Sequence, residues 1–177
     1  MQFLFVADPL ESFNTKKDST FAMMREAQRR GHTVFATEPR DISWQVGGKV
    51  VAQVRALRLT GDLHDWYEEV GVAQQALADF DAVLMRKDPP FDSEFFYTTH
   101  MLSQAEREGA KVFNKPAALR DHPEKMAVME FPEVLAPPSS PATPRTSAPS
   151  MPSTRTSSSS RWTVWGAWAS SASVLMA

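Results

Sequence analysis

Three groups of polar side chains in this sequence are of the types that bind anions. The first lies at residues 8–19, where two lysines stand just before a serine that can cap a helix. The free backbone N–H groups at a helix start attract carboxylates and phosphates, so this segment suits such a ligand. The alternative is a capped helix with solvated lysines. The candidate binding residues are Lys17, Asp18 and Ser19, and the group also contains Asp8, Pro9, Asn14 and Lys16.

The second group is the string M-R-K-D-P-P-F-D at residues 85–92. Arg86 can hold a carboxylate through two parallel hydrogen bonds, and the two prolines stiffen the loop around it. We therefore expect Arg86 to bind a ligand. The alternative is an ion pair of Arg86 with Asp88 or Asp92 that only orders the loop.

The third group follows residue 113 and is rich in basic side chains. Its last lysine, Lys125, can reach a phosphate, although a single lysine on a helix is usually a solvated surface residue. The group comprises Asn114-Lys115-Pro116, Arg120-Asp121 and Glu124-Lys125.

Each of these groups directly follows a short apolar segment that predicts a buried strand. The four predicted strands span residues 3–7, 33–36, 80–85 and 111–113. Helices are expected from Ser19 to about Arg30 and from Asp92 or Ser93 to Glu108, with shorter ones at 117–120 and 124–131. Two strand–helix–strand units predict a parallel α/β sheet, which binds ligands at the carboxyl ends of its strands.

A β-hairpin is expected between the two units. Residues 44–46 and 49–59 form its predicted strands, and the Gly47-Gly48 pair supplies the tight turn between them. Apolar residues alternate with Arg55 and Arg58 in the second strand, which predicts an antiparallel edge strand with one buried face.

The overall composition excludes several classes of protein. The net charge is −2, which disfavours binding to nucleic acid or to a membrane surface. Cysteine is absent, which removes disulfides and thiolate sites, and no apolar run approaches the ~20 residues of a spanning helix. The chain contains neither a G-x-G-x-x-G string nor a P-loop, and its four histidines lack metal-ligand spacing. We expect a protein of the cytoplasm.

The composition changes abruptly near Pro137. All 21 acidic residues precede residue 138, whereas residues 138–177 contain 12 Ser, 5 Thr, 5 Pro and three of the five Trp. Such a segment cannot bury enough apolar surface to fold, so a tail without a stable fold is expected there.

Three long strings of the first part resemble the prokaryotic glutathione synthetases. They are V-A-D-P-L-E-S-F-N-T-K-K-D-S-T-F-A-M-M-R-E-A-Q-R-R-G-H (residues 6–32), L-A-D-F-D-A-V-L-M-R-K-D-P-P-F-D (77–92) and V-F-N-K-P-A-A-L-R-D-H-P-E-K (112–125). The resemblance implies a Rossmann-like pre-ATP-grasp domain at 1–121, the start of an ATP-grasp region at 122–137 and the tail at 138–177. It also implies a homo-oligomeric ligase that uses ATP and Mg²⁺ to join γ-glutamylcysteine to glycine through an acyl phosphate.

Carried over to this chain, the resemblance implies that Arg86 binds substrate and that Lys17, Asp18 and Ser19 border the same cleft. Lys125 would contact a nucleotide phosphate. The family's K-P-L-D-G string, its glycine-rich loop and its acidic Mg²⁺ ligands do not appear in the 177 residues. We therefore expect no catalytic residue, no metal ligand and no ligase activity in the chain as it stands.

The codons of the tail predict a shifted reading frame. Tryptophan has the single codon TGG, so a frame that starts one base earlier encodes Asp across Thr163, Gly across Gly166 and Gly across Ala169. Across residues 157–172 that frame permits V-I-V-K-P-L-D-G-V-G-G-M-G-I-F-R, which contains the missing string, and across residues 139–143 it permits L-V-T-R-D. The hypothesis is that one nucleotide is missing near the codons for Pro137 and Pro138. The alternatives are a genuine disordered tail, a stand-alone binding or interaction module, and an ordinary nucleotide-binding domain, which the absent glycines disfavour.

Overall fold

The computed structural model describes residues 1–123, 126 and 128–131, all of which belong to the compact unit Met1–Ala136. The prediction for residues 138–177 lies outside the described residues, as do residues 124, 125 and 127 of the predicted helical stretch 124–131, in which Val128–Glu130 form a short 3-10 helix. Within the described part, three helices are α1 (Ser19–Arg29), α2 (Ser93–Arg107) and α3 (Pro116–Asp121). The strands are β1 (Gln2–Val6), β2 (Thr33–Thr37), β3 (Ile42–Ser43), β4 (Val51–Leu59), β5 (Tyr67–Ala76), β6 (Ala82–Met85) and β7 (Val112–Phe113).

The strands form one mixed sheet, which confirms the predicted α/β fold. Their order is β3-β4-β2-β1-β6-β7. β2 and β3 pair with different parts of one side of β4, and β5 pairs with its other side. β1, β2, β6 and β7 are parallel, with Leu4 of β1 opposite Phe35 of β2 and Val83 of β6. The units β1-α1-β2 and β6-α2-β7 are the two expected strand–helix–strand units.

Alternate residues of the central strands face two separate cores because successive side chains point to opposite faces of a sheet. The core on the α2 side includes Leu4, Val6, Phe35, Val83, Met85, Phe95 and Leu102. The core on the α1 side includes Phe5, Phe21, Met24, Val34, Leu57 and Trp66. The helices thus lie on opposite faces of the sheet and leave its carboxyl edge accessible.

The inserted hairpin differs from the prediction. Residues 44–46 do not form the predicted strand. Gly47 turns the chain with a φ of 79°, as expected. The strand before this turn is β3, in which Ile42 pairs with Ala52 of β4. The long hairpin is formed by β4 and β5, so β4 lies inside the sheet and β5 is its edge. The edge prediction for β4 was wrong because the partner strand, Y-E-E-V-G-V-A-Q-Q-A, contains a glycine and lacks apolar alternation.

The helix boundaries follow from their caps. Asp18, not the predicted Ser19, caps α1: its Oδ1 accepts hydrogen bonds from the backbone N–H groups of Thr20 (2.6 Å) and Phe21 (3.1 Å). Asp92 caps α2 through the N–H of Phe95 at 2.9 Å. Among the residues that the structure describes, no helix is both long and apolar enough to cross a membrane.

Candidate functional site

The loops that follow β1 and β6 meet at the carboxyl edge of the sheet, because these two parallel strands are neighbours. An ion pair joins them, with Lys87 Nζ 2.6 Å from Asp8 Oδ1. The backbone N–H of Asp88 donates to the other oxygen of the same carboxylate at 2.8 Å. Asp8 therefore fixes the loop 86–92 against the end of β1, and both of its oxygens have partners.

Arg86 lies beside this ion pair and reaches across to the start of α1. Its Nη2 donates a hydrogen bond to Ser19 Oγ at 2.7 Å, and its Nε donates to Thr20 Oγ1 at 3.1 Å. Its backbone N–H donates to the carbonyl of Val6 at 2.7 Å, which extends the pairing of β6 with β1 by one residue. The guanidinium is therefore held on one side by two neutral hydroxyl groups.

The predicted alternative for Arg86, an ion pair with Asp88 or Asp92, is not formed. Asp92 caps α2, and the backbone of Asp88 bonds to Asp8. Lys87, not Arg86, carries the ion pair of this loop. Within the described part of the chain, Arg86 has no carboxylate partner, and its Nη1 makes no hydrogen bond.

A small cleft of about 230 Å³ opens in front of Arg86. Thr20 is buried at its base, and Arg86 itself is half-buried. Three aspartates line the cleft: the Asp8 carboxylate is paired with Lys87, the Asp18 carboxylate caps α1, and Asp88 is exposed. Arg86 is the one cation among the lining residues, and no carboxylate of the described residues forms an ion pair with it. The residues that line the cleft are Asp8, Ser12, Phe13, Asp18, Thr20, Arg86 and Asp88.

Of the four predicted site residues that the structure describes, three lie together and one lies apart. Arg86 contacts Ser19, and Asp18 lines the same cleft. Lys17 is exposed and is not among the lining residues. The prediction for Lys125 lies outside the described residues. Thr20 was missed, since a threonine in the first turn of a helix carries no sequence signal of its own.

A hairpin between β4 and β5 clamps the loop that carries this site. The ring of Phe13 stacks on Trp66 with 5.5 Å between centroids and 13° between planes. Thr15 Oγ1 donates to the carbonyl of Leu63 at 2.8 Å, and the Tyr67 hydroxyl donates to Glu11 Oε1 at 2.9 Å. Three side chains of residues 11–16 thus contact the hairpin, and all six of these residues line a recess of about 860 Å³ beside it.

The Glu11–Tyr67 hydrogen bond is reflected in both pKa values. The backbone N–H of Glu11 and then the Tyr67 hydroxyl lower the pKa of the Glu11 carboxyl below its usual 4.5. Burial and then the bond to Glu11 raise the pKa of Tyr67 above 10.0. Arg55 Nη1 lies 3.8 Å from Glu11 Oε1, and Arg55 Nη2 lies 3.6 Å from Glu38 Oε1. Arg55 therefore links the loop after β1 to the end of β2.

The two basic residues of the third sequence group that the structure describes, Lys115 and Arg120, have structural partners. Lys115 Nζ pairs with Glu106 Oε1 at 2.7 Å. Arg120 Nη1 donates to the Thr99 carbonyl at 2.8 Å and to Ser103 Oγ at 3.1 Å, which fastens α3 to α2. Over the described ranges there is no cluster of three or more acidic or imidazole side chains able to hold a metal ion. The described residues therefore do not fit a Mg²⁺ site.

Comparison with known proteins gives one consistent result. Residues 1–120 match the family described as prokaryotic glutathione synthetase, N-terminal domain. A glutathione synthetase of Ralstonia nicotianae is 51% identical over 138 residues, which are 77% of this chain and 42% of the relative. One of Nitrosomonas europaea is 48% identical over 143 residues, or 78% of this chain and 44% of the relative. The chain thus spans less than half the length of the curated relatives it matches.

Proposed function

The chain belongs to the prokaryotic glutathione synthetase family, and we propose that its described part is the substrate-side domain of such a ligase. The cleft in front of Arg86 holds a carboxylate of γ-glutamylcysteine. The whole enzyme of the family joins this dipeptide to glycine with ATP and Mg²⁺, in the cytoplasm and as a homo-oligomer. Lys125 contacts a nucleotide phosphate.

The observation that carries the proposal is the one-sided fixation of Arg86. Ser19 and Thr20 fix the Nε–Nη2 edge of its guanidinium, while Nη1 is unbonded within the described residues. Arginine binds carboxylates in two-pronged geometry, and a prepositioned fork loses little freedom when the ligand arrives. The cleft of about 230 Å³ suits one carboxylate rather than the whole dipeptide, so the remainder of the ligand must extend beyond it.

Each remaining predicted site residue has a narrower role in this proposal. Ser19 positions Arg86, and Asp18 acts through the cap of α1, because its Oδ1 is occupied by two backbone N–H groups. Lys17 is exposed and outside the cleft, so it attracts the anionic ligand over a distance rather than by contact.

The 177-residue chain is further proposed to be inactive as a ligase. Support comes from the codons of the tail: the fixed tryptophan codons at 162, 165 and 168 force the D-x-x-G-x-x-G skeleton of the family string in the other frame. One nucleotide missing near the codons for Pro137 and Pro138 accounts both for that string and for the change in composition.

A stand-alone binding module is the second candidate, favoured by the two buried cores that the described domain builds from its own residues. Such a module also binds γ-glutamylcysteine at Arg86. The two candidates differ in what they predict for the gene. A module maintained by natural selection for binding alone would not be expected to encode a ligase string in another reading frame.

Calorimetric titration of the chain with γ-glutamylcysteine tests the proposed site. Arg86→Met should weaken binding about tenfold or more, since a hydrogen bond to a charged group contributes roughly 1.5–3 kcal/mol and about 1.4 kcal/mol is a tenfold change. The matched control is Arg58→Met, because Arg58 pairs with Glu68 on the exposed hairpin. Equal affinity in the wild type and the Arg86 variant would refute the site.

A further inference from the structure

We propose that Asp8 is a specificity-determining residue of the Arg86 cleft. By neutralising Lys87, Asp8 restricts the cleft to a group with one negative charge, such as a carboxylate, and disfavours a dianionic phosphate. This inference rests on the proposed function, because it concerns the same cleft, and it adds the reason why that cleft selects a carboxylate. Arg86 alone does not make the distinction, since a guanidinium binds carboxylates and phosphates in the same two-pronged geometry.

Two cations are neighbours in the sequence, but only one of them faces the cleft. Arg86 is among the lining residues, and Lys87 is not. The Lys87 ammonium instead lies 2.6 Å from Asp8 Oδ1 and also donates to the Asp88 carbonyl at 3.1 Å. Both members of the ion pair are partly buried, with 17% of the Lys87 side chain and 26% of the Asp8 side chain exposed. Asp8 therefore keeps the second positive charge away from a ligand, and solvent ions screen this pair less than an exposed one.

The negative charge of Asp8 is not needed to hold the loop. Asp8 Oδ2 accepts the backbone N–H of Asp88 at 2.8 Å, which fixes the loop after β6 against the end of β1. The oxygen of a neutral amide side chain accepts such a bond as well. What the carboxylate adds is the neutralisation of Lys87, whose ammonium sits on a flexible four-carbon stem and would otherwise be able to turn towards an anion.

The charges around the cleft penalise a second negative charge on a ligand. Asp8, Asp18 and Asp88 line the cleft, and Arg86 is the one cation among the described lining residues. One guanidinium offsets the charge of a carboxylate, whereas the second charge of a phosphate would face the aspartates without a cation of its own. This discrimination matters for the proposed ligase, which also binds ATP, because phosphate groups would otherwise compete with the dipeptide for Arg86.

Titration calorimetry with inorganic phosphate, at a pH where it is mainly dianionic, tests this inference. Asp8→Asn keeps an acceptor for the Asp88 N–H but releases Lys87, so its affinity for phosphate should rise about tenfold or more over the wild type. The double variant Asp8→Asn/Lys87→Met should lose this gain. The matched control is Glu68→Gln, which makes the same change in net charge and releases Arg58 on the exposed hairpin. Its affinity for phosphate should equal that of the wild type.

A competition experiment on the unmodified chain keeps the inference testable if Asp8→Asn does not fold. γ-Glutamylcysteine is titrated in acetate and in phosphate at equal ionic strength. Acetate carries one negative charge and should compete with the dipeptide for the cleft, whereas phosphate should compete less at the same concentration.

Four results would overturn the inference. A folded Asp8→Asn variant binds phosphate no better than the wild type, the gain persists when Lys87 is also replaced, Glu68→Gln gains as much as Asp8→Asn, or phosphate competes at least as strongly as acetate in the unmodified chain. The phosphate titration needs no dipeptide, so it can be read even if γ-glutamylcysteine proves to bind elsewhere. Conversely, normal binding of γ-glutamylcysteine to Asp8→Asn without a gain for phosphate would reject the role of Asp8 and leave the Arg86 site standing.

Discussion

Asp18 illustrates how one side chain at the site can act in two ways. It lines the cleft of Arg86, yet its Oδ1 accepts two backbone N–H groups at the start of α1. The same helix start carries Ser19 and Thr20, which hold the guanidinium. If Asp18 acts as the cap of α1, its loss would affect ligand binding indirectly, because Ser19 and Thr20 at that helix start position Arg86.

Asp18→Ala and Asp18→Ser separate the two roles. Loss of the cap in Asp18→Ala should cost about 0.5–2 kcal/mol in the free energy of unfolding, whereas serine caps nearly as well as aspartate. If Asp18 acts as a cap, the serine variant keeps near-normal stability and near-normal affinity for γ-glutamylcysteine. Urea unfolding and calorimetry provide the two measurements. Normal stability combined with lost affinity in Asp18→Ser would show direct contact with the ligand instead.

The contacts of Arg86 were only partly predictable from the sequence. The string around residue 86 places an arginine after a buried strand, and the structure has it at the carboxyl end of β6 as expected. The choice of Lys87 rather than Arg86 as the partner of an aspartate depends on Asp8, which lies 79 residues away along the chain. Pairs of residues so far apart in the chain depend on the order of the strands in the sheet, and local sequence patterns do not reveal that order.

At the scale of elements, the hairpin of β4 and β5 supports the loop that leads to the site. Phe13, Thr15 and Glu11 of the loop contact Trp66, Leu63 and Tyr67 of the hairpin. Trp66 is 4% exposed and also meets Phe21 of α1 edge to face, with 5.2 Å between centroids. The hairpin therefore connects the loop after β1 to the helix that positions Arg86.

Trp66→Ala tests this support. The substitution should cost roughly 3–5 kcal/mol of stability because it leaves a cavity among aromatic rings. It should also weaken γ-glutamylcysteine binding, although Trp66 is not among the residues that line the Arg86 cleft. Chemical unfolding followed by calorimetry at a temperature where the variant is folded checks both effects.

Trp44→Ala is the matched control for the hairpin. Trp44 is 40% exposed and its Nε1 donates one hydrogen bond, to the Gly48 carbonyl at 3.1 Å. Its removal should cost about 1 kcal/mol and leave affinity unchanged. If Trp66→Ala bound the ligand as tightly as Trp44→Ala, the hairpin would have no part in positioning the site.

The elements differ in how far the sequence predicts them. The central strands and both long helices follow from compact apolar runs and from glycines at 31 and 109, which have φ of 79° and 104°. β5 carries no such signal, because residues 68–74 are all exposed, including Val70 (66%) and Val72 (49%). β5 is stabilised instead by its pairing with β4, and this pairing depends on the tertiary structure rather than on the residues of β5 alone.

At the scale of the molecule, the change of composition at Pro137 separates two kinds of sequence. The first kind matches the glutathione synthetase family over residues 1–120. The second contains tryptophans at 162, 165 and 168, a spacing that forces the family's D-x-x-G-x-x-G skeleton in the neighbouring frame. Both observations support the proposal that the second part of a ligase gene is read out of frame, and the proposed inactivity of the chain would follow from such a shift.

Restoring the frame tests this account most directly. One nucleotide is inserted near the codons for Pro137 and Pro138, and both proteins are assayed for ATP-dependent formation of glutathione from γ-glutamylcysteine and glycine. We predict a longer protein with ligase activity that Arg86→Met reduces, and no activity in the 177-residue chain. Ligase activity of the 177-residue chain, or a shifted frame that closes without encoding an active ligase, would contradict the account.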